Sequence, residues 1–412
     1  MFGRLSRAAG ARLSVGVSIA LVAALASACG ADSSSSGAAG SDGGSDTYKI
    51  GALLALTGPY SALGTAEQES VKLFAETVNS KGGINGHKIE IVVADTASDE
   101  SQAVNQFRKL VTQDNVVAVI GPSSSGEGIA TKPTSLSLKT PIIVPASSQS
   151  IVTPANEAKY SFKEFPSTEL SLKAQLEYVK SKGWKNVAII ASNNGYGQEP
   201  VKTLPGMVSS YGLTVVGSAT FPPDATDVTS QLSSLAGKKP DVTLVWAVNP
   251  ANAIVAKNAK AISYPGVLFN SPGASTNAYI EVGGEATEGT LVQGSKIAVP
   301  ESIESSDSQY DALQGLLAAW KTGHQDSPSQ YAANGWDCML ILQQALEAGK
   351  VEPGDPQKTR DAIRDSLEAN VKDLPGINAI YSFGPDSHGP SDIKGLAVLT
   401  VQNKKFSLLQ SF

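Results

Sequence analysis

Three histidines and two cysteines, none of them clustered, are spread through 412 residues. That scarcity excludes a zinc or iron–sulfur site with short ligand spacing, and it excludes a disulfide framework. Positive charge is also short: 32 Lys and Arg against 38 Asp and Glu leave a formal charge of −6. The charge becomes −9 when Arg4, Arg7 and Arg12 depart with an N-terminal leader, because residues 1–28 hold no acidic residue. Such a balance argues against nucleic acid as a partner. What the chain does have is 41% hydrophobic residues, enough at this length to bury substantial cores and to predict two domains.

The apolar run at residues 13–25 is too short for a membrane span and suits the hydrophobic region of an export signal. It ends in Leu25-Ala26-Ser27-Ala28-Cys29-Gly30. Small residues before a Cys at that place resemble the lipobox of bacterial lipoproteins, although Ala26 stands where Leu is commoner. The resemblance implies removal of residues 1–28 and a lipid on Cys29. An ordinary secretory signal with an incidental Cys, and an uncleaved anchor helix, are the alternatives. Residues 30–46 are almost entirely Ser, Gly, Ala and Asp, which cannot bury enough apolar surface to order themselves. As a flexible coil they span roughly 20–25 Å root-mean-square, so the folded part is expected to begin near Thr47.

From there strand and helix signals alternate. Residues 48–54 read as a buried strand, and the helix after Gly64 carries Val71, Phe74, Ala75 and Val78 on one face, stopping at Asn79-Ser80-Lys81-Gly82-Gly83. Residues 89–94 form the next strand, followed by a helix capped by Ser98 or Asp99 and presenting Val104, Phe107 and Val111. The central stretch comes third: an apolar strand at 116–120, the turn Gly121-Pro122-Ser123-Ser124-Ser125-Gly126, a helical run to Leu138, then Pro141-Ile142-Ile143-Val144-Pro145-Ala146-Ser147-Ser148. A strand that ends in a small, hydroxyl-rich turn and restarts as a helix aims free N–H groups and hydroxyls at one spot, which suits an anion. Two such clusters at the ends of neighbouring parallel strands are expected to touch one ligand.

After Ser148 the pattern pauses and restarts with a helix at 168–182. Strands at 186–191, 214–220, 241–248 and 266–269, with the turn Asn193-Asn194-Gly195-Tyr196-Gly197 after the first of them, rebuild the same design as a second lobe. From Ser305 the chain turns helical, with Leu313, Leu316, Leu317 and Trp320 on one stripe and Cys338, Ile341, Leu342 and Ala345 on another. These helices are expected to return to the first lobe, with Cys338 a buried thiol. Late strands at 380–383 and 395–402 could finish either sheet.

Taken together, Leu56-Thr57-Gly58-Pro59, Asn79-Ser80-Lys81-Gly82-Gly83-Ile84-Asn85-Gly86, the Ser turn, Pro145-Ala146-Ser147-Ser148 and Asn194-Gly195-Tyr196-Gly197 resemble the branched-chain amino-acid-binding type of periplasmic binding protein. The likeness runs from about Tyr48 to the C-terminus. It implies an α/β fold of two Rossmann-like lobes, each a parallel sheet flanked by helices and joined by a three-segment hinge. Residues 47–166 and 294–380 would form lobe 1, and 167–293 and 381–412 lobe 2. It also implies a receptor that hands a small-molecule solute to an ABC importer permease, held on the outer face of the cell membrane through the lipid on Cys29. No cofactor is expected.

By motif, the resemblance places the ligand carboxylate on Ser125, the Ala146 backbone and Ser148, with Ser124 the register alternative and Ser147 in the same cluster. Tyr196 matches a ligand-contacting Tyr. In the second lobe, amino-acid-binding members hold the ammonium with a Tyr and an acid; here Asn249-Pro250 and Ser271-Pro272-Gly273 stand at those places, so Asn249 and Gly273 are the candidates. Neither supplies a carboxylate, and an ammonium buried without one is costly. Glu199, Asp224 or Asp227 are the possible substitutes. Trp246 is near the crevice by topology or packs within its strand.

Three other readings compete for these residues. A serine hydrolase needs a Gly two places after its nucleophile, where Ser125 stands, and a His base, for which only His87, His324 and His388 exist. A phosphate loop needs Gly-Lys-Ser/Thr after the turn, and none follows. A ligand sensor of the same fold would have to act by docking a separate partner, since no transmembrane or output domain is recognisable before Phe412.

Overall fold

The structure is a computed structural model, and it describes residues 47–412; the leader, Cys29 and the linker lie outside the described residues. The first sheet is built by β1 (Thr47–Leu54), β2 (Lys88–Asp95), β3 (Ala118–Ile120), β4 (Ile142–Val144) and β5 (Ser161–Lys163), in the order β2-β1-β3-β4-β5. Every neighbouring pair is parallel, so each connection must cross a face of the sheet. The helices α1 (Ser61–Ser80), α2 (Glu100–Thr112) and α3 (Ser125–Ser137) supply the first three crossovers, and two short turns at Gln149–Ile151 and Ala155–Glu157 lead from β4 to β5.

Local chemistry sets the helix ends. Helix α1 buries Val71, Phe74 and Ala75 and stops before Gly82 and Gly83, whose φ values of 108° and 87° a side chain would resist. Of the two expected caps for α2, Asp99 is the one used: its carboxylate accepts the Gln102 N–H at 2.8 Å.

The second lobe follows through α4 (Thr168–Ser181), β6 (Asn186–Ser192), α5 (Gly195–Met207), β7 (Thr214–Phe221), α6 (Thr229–Ala236), β8 (Val242–Trp246), α7 (Ala251–Ala261), β9 (Val267–Asn270), α8 (Asn277–Gly283) and β10 (Leu291–Ser295). Then α9 (Tyr310–Trp320), α10 (Gln330–Ala348) and α11 (Pro356–Asn370) return to the first lobe, where α10 lies along α1. Phe74 and Trp336 meet edge to face there, ring centroids 4.7 Å apart. Gly335 permits the close approach, because a methyl group on it would stand 2.7 Å from the Glu67 carbonyl. Cys338 is fully buried within this packing, and burial pushes its thiol well above its ordinary value.

The late strands separate. Ile380–Tyr381 (β12) pairs only with Leu374–Pro375 (β11), whereas Leu396–Gln402 (β13) joins the second sheet antiparallel to β10. A final strand, Lys405–Ser411 (β14), folds back on β13 through Asn403-Lys404, both at positive φ as a tight hairpin needs. The second sheet therefore runs β14-β13-β10-β9-β8-β6-β7. The pause expected after Ser148 in fact contains β5, whose buried Lys163 breaks the apolar signature of a core strand. The chain passes between the sheets after β5, after β10 and after β12. No helix of the described residues is long and apolar enough to cross a membrane.

Candidate functional site

At the carboxyl end of β3, Gly121 turns the chain with φ 103°; a side chain there would strike the Leu53 carbonyl, 2.0 Å from where its first carbon would stand. Ser124 then caps α3, its hydroxyl accepting the Glu127 N–H at 3.4 Å while Glu127 Oε2 accepts the Ser124 N–H at 3.0 Å. Facing it from the second lobe, the Asn194 side chain caps α5, Oδ1 accepting the Gly197 N–H at 2.9 Å. The two helix N-termini nearly touch: a methyl group on Gly195 would lie 3.1 Å from the Cα and N of Gly126. Both positive helix ends thus open on one cleft, about 780 Å³ with the open solvent at its mouth included, lined by residues of both lobes.

The expected ligand residues divide. Ser124, Ser125, Ala146, Ser147, Tyr196 and Gly273 line the cleft. Ser147 stands out, because its hydroxyl is buried and has no hydrogen-bond partner. Ser148 is behind the lining: its N–H donates to Ser125 Oγ at 3.3 Å and its own hydroxyl accepts the Ser150 N–H at 3.2 Å. It leaves the extended path to cap a short turn there, so Ser147 takes the inward position. Asn249 is also turned away, donating to Thr276 Oγ1 at 2.7 Å, and its neighbour Val248 lines the cleft instead.

Tyr196 packs its ring 5.4 Å from that of Trp246. Burial pushes its phenol up to about 12, against the bonds to Ser271 and the Gly273 backbone that favour the charged form. Trp246 is fully buried in its strand, donating to Gln175 Oε1 at 3.2 Å, and does not reach the cleft. The Gly273 carbonyl accepts the Tyr331 O–H at 2.7 Å, which ties α10 of the first lobe to the second.

None of the three substitute acids lines the cleft. Glu199 Oε1 accepts the Gln149 N–H at 2.9 Å and so bridges α5 to the segment after β4. Asp224 and Asp227 are exposed, and Asp227 accepts the Thr229 N–H at 2.7 Å. Sequence reasoning did not single out Tyr60, Glu100, Phe165 or Tyr331, which line the cleft from separate elements. Tyr60 lies just past the Leu56-Thr57-Gly58-Pro59 turn and accepts the Asn194 amide N–H at 2.9 Å across the cleft. The turn was the available signal.

The lining holds no Lys, Arg or His. Among the three histidines, His388 is held by the Ala158 and Ser161 carbonyls, His324 stacks on Trp320 and His87 meets Glu352, so none approaches the Ser turn as a base. No group of three or more His, Cys, Asp or Glu among the described residues could hold a metal ion.

Beneath the floor lies Glu67, fully buried, whose Oε2 accepts the Ser123 O–H at 2.5 Å. Burial, helped by the nearby Glu127 charge, raises its carboxyl to about 8 from 4.5. Folded protein therefore keeps a proton that the unfolded chain surrenders. Its contribution to stability is complete below about pH 4.5 and lost as the pH rises to about 8. We expect wild-type stability to fall faster with pH than that of Glu67→Gln between about pH 5 and about pH 7, by up to about 1.4 kcal/mol per unit. Urea titrations across that window measure the difference, and parallel slopes would mean that Glu67 ionises normally.

The family described as periplasmic binding protein matches residues 47–405 of this chain. The chain belongs to that family. Periplasmic binding proteins similar to it include the Leu/Ile/Val-binding protein BraC3 of Rhizobium johnstonii, 24% identical over 324 residues, covering 77% of this chain and 84% of that protein. The leucine-, isoleucine-, valine-, threonine- and alanine-binding protein of Pseudomonas aeruginosa is 23% identical over 339 residues, covering 81% and 85%. A solved extracellular ligand-binding receptor from Rhodopseudomonas palustris HaA2 superposes with a TM-score of 0.82 at 26% identity, covering 88% of this chain and 100% of that one. The chain is a type I periplasmic binding protein that resembles the branched-chain amino-acid-binding type, and the relatives are binding proteins and receptors rather than enzymes.

Proposed function

We propose that this periplasmic binding protein captures a small carboxylate-bearing solute, an amino acid or close relative, and delivers it to the permease of an ABC importer. The observation that carries the reading is the convergence of two helix N-termini on one cleft that contains no basic side chain. Oriented N–H groups and hydroxyls then do the work of a cation for an anion that must later be released. The ligand carboxylate docks against the start of α3, taking hydrogen bonds from the Ser125 and Ser147 hydroxyls and the Ala146 backbone. The aliphatic and aromatic part of the lining, including Leu63, Phe165 and Val248, accommodates an apolar body. The specificities named for the relatives from Rhizobium johnstonii and Pseudomonas aeruginosa support an aliphatic amino acid.

In this reading the lobes move about the three chain passages between the sheets, and closure over the solute expels water and strengthens its hydrogen bonds. Energy comes from the importer's ATPase, not from this chain. The Cys29 lipid and residues 30–46 tether the domain to the outer face of the membrane.

Removing a hydroxyl that bonds a charged ligand costs roughly 1.5–3 kcal/mol, or on the order of 10- to 100-fold in affinity. Calorimetric titration of Ser125→Ala and Ser147→Ala is expected to show that loss in each. Unchanged affinity in both variants would defeat the docking assignment.

A further inference from the structure

A zwitterionic amino acid carries an ammonium one carbon from its carboxylate, and the solute-capture reading leaves that charge without an obvious partner. Neither Val248 nor Pro272-Gly273, which line the second-lobe side, carries an acid. Glu199 gives one oxygen to the Gln149 N–H, and Glu199, Asp224 and Asp227 are all outside the lining, although the Asp224 charge reaches Tyr60. Of the two carboxylates in the lining, Glu127 is buried and spends one oxygen on the Ser124 N–H in the α3 cap. The other is Glu100. It makes no hydrogen bond or ion pair with any described residue, and it remains exposed to solvent in the cleft.

Its position is specific. Glu100 begins α2 directly after the Asp99 cap. From there the side chain folds over Gly126: a methyl group on that glycine would stand only 2.3 Å from Glu100 Oε1. Gly126 is the residue after Ser125 and the one that Gly195 approaches from the other lobe. A carboxylate thus lies beside the α3 N-terminus, over the residue that follows Ser125.

Resting on the solute-capture reading, we infer that Glu100, from the first lobe, receives the ammonium of the bound amino acid and sets the preference for solutes that carry one. A bare anion would meet the same helix ends but also the Glu100 charge, with no basic side chain in the lining to offset it. Closure would exclude water from the contact and strengthen it.

The test is calorimetric titration of the purified protein with the proteinogenic amino acids, each paired with its 2-oxo acid, in wild type and Glu100→Gln. Wild type is expected to bind its amino acid at least about 10-fold tighter than the matching oxo acid. Glu100→Gln should bind the amino acid on the order of 10- to 100-fold more weakly while holding the oxo acid as well as or better than wild type. Retained oxo-acid binding also shows that the variant is folded. An unchanged preference in Glu100→Gln, or a wild type that prefers the oxo acid, would overturn the assignment alone. Binding of neither class by wild type would overturn the solute-capture reading and this assignment with it.

Discussion

Gly195→Val is expected to bind solute about 100-fold more weakly than wild type while melting at the same temperature in the absence of solute. The first carbon of the new side chain would stand 3.1 Å from the Cα and N of Gly126, closer than nonbonded carbons rest, and the valine continues beyond it. What it meets is backbone at the start of a helix, which cannot swing aside. Overpacking of this kind costs about 1–3 kcal/mol, and each 1.4 kcal/mol is about tenfold in affinity. The strain exists only while the two helix ends are together. Unliganded protein relieves it by opening, so the melting temperature does not move. Titration calorimetry with scanning calorimetry separates the two effects, and wild-type affinity in Gly195→Val would show that binding does not draw the lobes to this contact.

The second large effect is on stability. Asp337 is fully buried and accepts the Ile377 N–H at 2.8 Å, the Asn378 N–H at 2.9 Å and the Tyr381 O–H at 2.7 Å. Glu164 lies 2.9 Å from the same Tyr381 hydroxyl, and burial, with the Asp337 charge beside it, pushes its carboxyl well above the ordinary range. The phenol has one proton, and it serves the charged Asp337. Burial also raises Asp337, against the three donors that favour its charged form; one of the two carboxyls therefore stays protonated while the other is ionised. Asp337→Ala leaves the buried Ile377 and Asn378 N–H donors without an acceptor, while Tyr381 keeps only Glu164. A loss of about 3–5 kcal/mol in unfolding free energy is expected, read as a lower urea midpoint at unchanged slope. A loss below about 1 kcal/mol would mean that water or a rearranged Glu164 replaces the acceptor.

The Ser turn and the Ala146-Ser147 strand end were legible because each is a local event: an apolar strand, a small hydroxyl-rich turn, a helix restart. Parallel topology then brings them together. Helices α9 and α10 announced their return to the first lobe by apolar stripes with no strands left to cover. By contrast, β5 was hidden by Lys163, a buried amine whose place in a core strand depends on the Ser147 and Phe165 carbonyls that it bonds at 3.3 and 3.0 Å. Burial lowers that amine to about 7, opposed by the charges of Glu199 and Glu164. Those partners are tertiary and leave no local pattern.

The same reason hid Glu100, Tyr60 and Tyr331. Each reaches the cleft from a different element, and α10 is far along the chain from the Ser turn. Glu100 reads locally as a first-turn helix acid and nothing more. Asn249 stands where amino-acid-binding members have their Tyr, but the backbone turns there and sends its side chain to Thr276. Ser148 was placed by the strand end, and the short turn it caps puts Ser147 forward instead.

The most direct test of the central claim is a thermal-shift screen of the purified protein against the proteinogenic amino acids, their 2-oxo acids, aromatic carboxylates, urea-like amides and small sugars. A solute at about 100 times its dissociation constant should stabilise the folded state by roughly 2.7 kcal/mol. The account predicts that a narrow set of aliphatic amino acids raises the melting temperature and that sugars and amides do not. A melt that responds only to sugars or amides, or to no small solute at all, would contradict it.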